Sequence, residues 1–177
     1  MALNWLEEVV SHLYKLRGYI VLENEDLPMP KGVSGRTEAD IIAFKDRELV
    51  HVECTVWWGP GIQDKKEFQR LNKKFERVRD QIFKRYNFLK QYEPIIKIFV
   101  TSTCKRPEKS GPNSPWNRLQ NFCNENNIKL IQINTIIEDL IRVLRMESPG
   151  PGRVGEKGIS QFLTHLIYND FLKRPQE

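Results

Sequence analysis

Between Thr37 and Trp58 the chain runs TEADIIAFKDRELVHVECTVWW, two apolar-rich arms joined by the polar turn KDRE. β-Branched and aromatic residues interleaved with polar ones predict a hairpin, with strands over about 38–45 and 48–57. A hairpin constrains more than its own length, because alternation commits every second residue to one face. On the second arm Val50, Val52, Cys54 and Val56 share one face, and His51, Glu53, Thr55 and Trp57 share the other. Asp40 opens the first arm, two residues before Ile42. Pairing the arms puts Asp40 and Glu53 on adjacent strands, where their carboxylates can converge. Two close carboxylates repel unless a cation lies between them, and hard oxygen ligands with room for water suit Mg²⁺ or Mn²⁺. The Cys54 carbonyl offers a third oxygen.

The remaining pattern frames this hairpin. Leu3, Leu6, Val9, Val10, Leu13 and Leu16 recur at helical spacing until Gly18. YIVLE predicts a short strand, and NEDLPMPKGVSGR a loop. From Ile62 the period changes: Phe68, Leu71, Phe75, Val78, Ile82, Tyr86 and Leu89 form one apolar stripe. That predicts a single helix to near Tyr92, about 30 residues and roughly 45 Å long. PIIKIFVTSTC predicts a buried strand and KRPEKSGPNSP a loop. Ser114 caps a helix with Pro115 at its first position, running to about Asn126. IKLIQI predicts another strand, Asn134 or Thr135 starts a helix through Met146, and a last amphipathic helix spans 159–173. The order α-β-β-β-α-β-α-β-α-α implies an α/β fold, a mixed sheet with helices on both faces. Residues 1–147 are expected to form one domain, and 148–158 a loop. The helix in 159–177 packs on the same domain or on a second copy, which would make a homodimer.

No apolar run approaches the 18 residues of a membrane span. The first residues carry acids and no basic leader, so no secretory signal is expected. Cys54, Cys104 and Cys123 are far apart, without zinc spacing, and are expected to be reduced thiols in a cytoplasmic protein. Residues 61–91 hold ten Lys/Arg and four Asp/Glu, more than the whole +5 net charge. One segment therefore carries the basic bias, and Lys65, Arg70, Lys73, Lys74 and Arg77 are its candidate phosphate contacts. PGPGRVGEKG lacks the G-K-[ST] ending of a phosphate loop and is taken as an ordinary loop. Trp57 and Trp58 could stack on bases, but packing is the commoner role of such residues. A lone His51 is ordinarily a packing or surface residue.

EADIIAFKDRELVHVECT resembles the core of the PD-(D/E)XK nucleases, especially Mrr-type restriction enzymes and archaeal Holliday-junction resolvases. Asp40 matches the first acid of that motif and Glu53 the second. LEEVVSHLYKLRGYIV resembles the helix and strand that precede it, where a glutamate commonly completes the site; Glu7 matches better and Glu8 is the alternative. The resemblance covers roughly residues 3–135. It implies a restriction-endonuclease-like αβββαβ core with extra C-terminal helices, and Mg²⁺ or Mn²⁺ on Asp40, Glu53 and the Cys54 carbonyl. It also implies nucleic acid as the partner, DNA before RNA, and phosphodiester hydrolysis as the activity.

The departure is Thr55. The family lysine lies two residues after the second acid, where it positions water and stabilises charge on the phosphate. Threonine supplies no charge. Either the lysine has moved onto the following helix, with Lys66 the first candidate and Gln69 and Lys73 further along, or the chain is a catalytically inactive nuclease-fold module that binds nucleic acid or protein. Lys66 standing alone would be an ordinary surface lysine.

Overall fold

An Asn4 side chain accepting the N–H groups of Leu6 and Glu7, with Glu7 accepting the Asn4 N–H in return, starts the first helix. The structure, a computed structural model, describes residues 4–28, 37–55, 65–101 and 114–146. Helix α1 (Trp5–Leu16) ends at Gly18, whose φ of +80° is the left-handed conformation that glycine adopts without strain. Strands β1 (Ile20–Leu27), β2 (Thr37–Lys45) and β3 (Glu48–Thr55) follow, then α2 (Lys65–Arg85), a 3₁₀ turn (Asn87–Tyr92), β4 (Ile96–Thr101), α3 (Pro115–Glu125), β5 (Ile128–Gln132) and α4 (Ile133–Met146). Ser114 caps α3 by accepting the Asn117 N–H at 3.1 Å, as its position before Pro115 predicts.

The five strands lie in chain order. β1, β2 and β3 pair antiparallel, while β3–β4 and β4–β5 are parallel. The sheet is thus mixed, with helices on both faces, as expected. On one face α1 and α4 cover Ile41, Ala43, Val50, Val52, Ile98 and Val100 with Leu6, Val9, Leu13, Leu140 and Leu144. On the other, Val78 and Ile82 of α2 pack on Ile42, Phe44 and Leu49. The first half of α2 brings Leu71 and Phe75 onto Phe99 and the α3 residues Leu119 and Cys123. β3 obeys its alternation, with Val50 and Val52 toward α1 and α4 and His51 against Phe75 of α2.

Two elements depart from expectation. β1 extends beyond YIVLE to Leu27, because pairing with β2 continues to Leu27↔Thr37. Its acids find partners from neighbouring elements: Ser11 and Lys15 bind Glu23, and Arg85 and Tyr86 bind Glu25. The long helix does not reach Tyr92. It stops at Arg85, and Tyr86 leaves helical geometry at φ −122° and ψ 74°. At 21 residues α2 is about 31 Å long. The break keeps the apolar stripe on the sheet, since Leu89 remains fully buried beside Phe44 and Leu49. No helix among the described residues is long and apolar enough to cross a membrane. Trp57, Trp58, Cys104, the loop 148–158, the helix at 159–173 and the side chain of Lys65 lie outside the described residues.

α4 is built into the main core. Leu140→Ala should cost about 2–5 kcal/mol in urea denaturation, whereas Gln120→Ala on the exposed side of α3 should stay within about 0.5 kcal/mol.

Candidate active site

The hairpin opens where its acids stand. The β2–β3 ladder runs from Lys45↔Glu48 to Ile41↔Val52. Beyond it β3 continues beside β4 as far as Thr55↔Thr101. At the opening, the Cys54 N–H donates to Asp40 Oδ2 at 2.7 Å, a side-chain bond where a ladder bond would have been. This turns the backbone polar edge of Cys54 toward β2. On the other flank Glu23 pairs with Ile41 and Glu25 with Ala39, so Asn24 lies opposite Asp40. Asn24 has φ +47°, a conformation that few residues other than glycine adopt.

One ammonium joins the two acids. Lys74 Nζ lies 3.0 Å from Asp40 Oδ1 and also contacts Glu53 Oε2. Both oxygens touch one nitrogen, so they stand at most about 6 Å apart. The other Glu53 oxygen, Oε1, lies 2.6 Å from His51 Nε2. The His51 ring packs edge-on against Phe75, with ring centroids 4.7 Å apart. Glu53 is only 3% exposed and His51 1%. The Lys74 side chain keeps 36% exposure.

Burial sets the electrostatics. It pushes Asp40 up to about 6, with the Glu53 charge adding to it and Lys74 and the Cys54 N–H opposing. It pushes Glu53 up to about 7 against the pull of Lys74 and of hydrogen bonds with Asp40. Burial also works against the Lys74 ammonium, but the Glu53 and Asp40 carboxylates more than offset it and hold Lys74 above the usual lysine range. His51 is pushed down to about 3 by burial and by Lys74, so it is neutral. Glu7 is raised, first by burial and then by the charges of Asp40 and Glu38. The Cys54 thiol is raised by burial and the neighbouring acids, which makes it an unreactive packing group.

A groove of about 240 Å³ meets this cluster, lined by Thr37, Glu38, Arg70, Lys73, Lys74 and Arg77. Positions 70, 73, 74 and 77 fall on one face of a helix. Beside that basic face, Leu71, Phe75, Val78 and Ile82 are buried. Lys74 sits where the two stripes meet and belongs to both the groove and the acids.

Asp40, Glu53 and Cys54 therefore come together as the hairpin predicts. Glu7 feels the charge of Asp40 while its carboxylate accepts the Asn4 N–H. Thr55 sits half-buried at the end of β3, paired with Thr101. Lys66 is exposed, eight residues before Lys74 and so about 12 Å away along the helix axis. The lysine at both acids is instead Lys74, expected from the sequence to face phosphate. No sequence signal singled it out, since Arg70 and Arg77 stand just as directly before the stripe residues Leu71 and Val78. His51, expected only to pack, also holds Glu53. Among the described residues, no group of three or more His, Cys, Asp and Glu side chains could hold a metal ion. The cluster is two carboxylates and a lysine.

A carboxylate whose folded pKa lies above its unfolded value favours the fold at low pH, and that contribution is lost as pH rises through the folded value. For Asp40 and Glu53 the loss runs from about pH 4 to about pH 7. Lys74→Met removes the opposing ammonium and deepens the loss. In EDTA it should destabilise by about 2 kcal/mol at pH 8, below the about 3–5 kcal/mol of a fully buried pair because Lys74 is partly exposed. At pH 5 the penalty should shrink. Equal penalties in urea denaturation at both pH values would argue against a coupled triad.

No family model matches the chain, and no curated protein matches it. Among solved structures it is similar to the crystal structure of AF1548, a protein of unknown function, at 18% identity and a TM-score of 0.49 over 95% of this chain and 78% of that one.

Proposed function

We propose that this protein is a metal-dependent nuclease that hydrolyses phosphodiester bonds in nucleic acid, DNA before RNA, with the motif lysine relocated to α2 at Lys74. The observation that carries this reading is the Lys74 ammonium, held by Asp40 and Glu53 and lining a basic groove. The donor set fits a divalent cation. Two buried carboxylates are raised toward neutral pH with only one ammonium between them, and both present the hard oxygens that Mg²⁺ or Mn²⁺ takes. Asp40, Glu53 and the Cys54 carbonyl would hold the ion. Bound there, it would lower the pKa of a coordinated water and offset charge on the phosphate.

The chain's own residues supply the rest. Arg70, Lys73 and Arg77 hold the phosphate backbone, a contact that positions without reading sequence. Lys74 reaches the groove from the acid pair and offers positive charge to the phosphate as charge builds on its oxygens. Glu7 adds negative potential behind Asp40. Cys54 and Cys123 are free thiols, which suits a reducing, cytoplasmic setting.

A second reading has its own support. Lys74 already compensates both acids, so the same groove could bind nucleic acid on a fold that performs no chemistry. One set of experiments separates the two. Linear, branched and single-stranded DNA and RNA are offered with Mg²⁺ or Mn²⁺. On the nuclease reading, Asp40→Ala and Glu53→Ala each abolish cleavage. Lys74→Ala lowers kcat about 10²–10³-fold while weakening binding far less than joint loss of Arg70, Lys73 and Arg77, and Lys66→Ala stays near wild type. Binding without cleavage of any substrate would favour the second reading. Cleavage that survives loss of both acids would reject the site.

The groove has a separate test. Affinity should fall steeply with salt, and replacing Arg70, Lys73 and Arg77 together with alanine should reduce the slope of log K against log salt by about 2–3. An unchanged slope would mean that α2 does not contact phosphate.

A further inference from the structure

Glu53 divides its two oxygens between different partners. Oε2 meets Lys74, and Oε1 lies 2.6 Å from His51 Nε2. The terminal torsion of a glutamate is broad, so nothing intrinsic to the side chain fixes which oxygen faces the cation. His51 is itself held in place by its neighbours. Its backbone is paired to Ile42 on β2 and to Lys97 on β4, and its ring lies against Phe75. The imidazole is 1% exposed, with its Nε2 turned to Glu53. A neutral imidazole has one donor and one acceptor nitrogen. An ionised Oε1 can only accept, so the nitrogen facing it must carry the proton.

We propose that His51 is a positioning residue: its Nε2–H holds Oε1 of Glu53 and so presents Oε2 to the cation between the two acids. That cation is the Lys74 ammonium in the metal-free protein and a divalent ion in the loaded one. The second half rests on the reading of Asp40 and Glu53 as metal-holding acids. Groups that orient metal-binding carboxylates typically contribute 10–100-fold in affinity.

The test needs no substrate. Imidazole ¹H–¹⁵N correlation on ¹⁵N-histidine-labelled full chain in EDTA at pH 8, where Glu53 is a carboxylate, reads the tautomer, and His51→Gln identifies which signals belong to this residue among the three histidines. An Nε2–H tautomer is expected. An Nδ1–H tautomer, which leaves Nε2 without a proton, would overturn the proposal. Electron paramagnetic resonance then measures Mn²⁺ affinity. His51→Leu should bind Mn²⁺ about 10–100-fold more weakly. His51→Gln, which restores an N–H donor at similar reach, should stay within a few fold of wild type. Melting temperatures of both variants separate this from loss of fold: two equally destabilised variants that differ in Mn²⁺ affinity support positioning. Wild-type affinity in His51→Leu would overturn it. If the wild-type protein binds no Mn²⁺, the metal reading falls and the second half of the proposal with it, while the tautomer still decides whether His51 holds Glu53.

Discussion

The Lys74 ammonium between Asp40 and Glu53 is the interaction on which the rest of this structure turns. Two carboxylates on neighbouring strands, covered by a helix, would repel each other in surroundings too dry to screen them. A single cation from that helix makes the arrangement tolerable and ties β2, β3 and α2 together at one point. It also sets how far α2 may slide along the sheet, because Lys74 must reach the acids while Phe75 packs on His51. The opening of the hairpin, the bond from the Cys54 N–H to Asp40 and the left-handed Asn24 all lie within this small region.

Stability alone does not call for such a cluster. A buried ion pair seldom improves on apolar side chains of the same volume, since removing charges from water costs several kcal/mol per ion. Here the balance is less favourable still, with two carboxylates to one ammonium and both acids pushed up by burial. The apolar alternative is close at hand. On the same face, Ile42 and Phe44 of β2 pack against Val78 and Ile82 of α2 with no charge between them. Perturbed acids grouped beside a groove mark a candidate site.

The two faces of β3 were legible because strand alternation has a fixed period, and it correctly separated Val50 and Val52 from His51 and Glu53. The approach of Asp40 to Glu53 was legible for the same reason, since a hairpin leaves little freedom in which residues meet. Lys74 was not. A helical stripe says which side of α2 meets the sheet but not where along the strands it rests, so Lys66, Lys73 and Lys74 could not be ranked by height. The full length of β1 was hidden because Asn24, Glu25 and Asp26 have poor strand propensity and are held by pairing and by partners distant in sequence. The end of α2 was hidden because Tyr86 and Leu89 keep helical spacing across a backbone that is no longer helical. In each case a tertiary contact overrode a local pattern.

What separates a structural lysine from a working one is access. A lysine serving only as counter-ion can be sealed in, as Glu53 and His51 are at 3% and 1% exposure. Lys74 instead keeps 36% of its side chain exposed, and that exposed part lines a groove whose other cations are Arg70, Lys73 and Arg77. Helix geometry makes this double contact possible. Residue 74 follows residue 70 by one turn on the basic face and directly precedes Phe75, which packs on His51, so its side chain borders the groove and reaches the acids as well. An anion in the groove and the acids behind it would then compete for the same ammonium. Negative charge arriving from the groove would draw Lys74 from the acids and leave them short of positive charge. A divalent cation between Asp40 and Glu53 would release Lys74 toward the groove. On the proposed reading, occupancy of either position by its own ligand would favour occupancy of the other, because one flexible side chain carries the charge that both require.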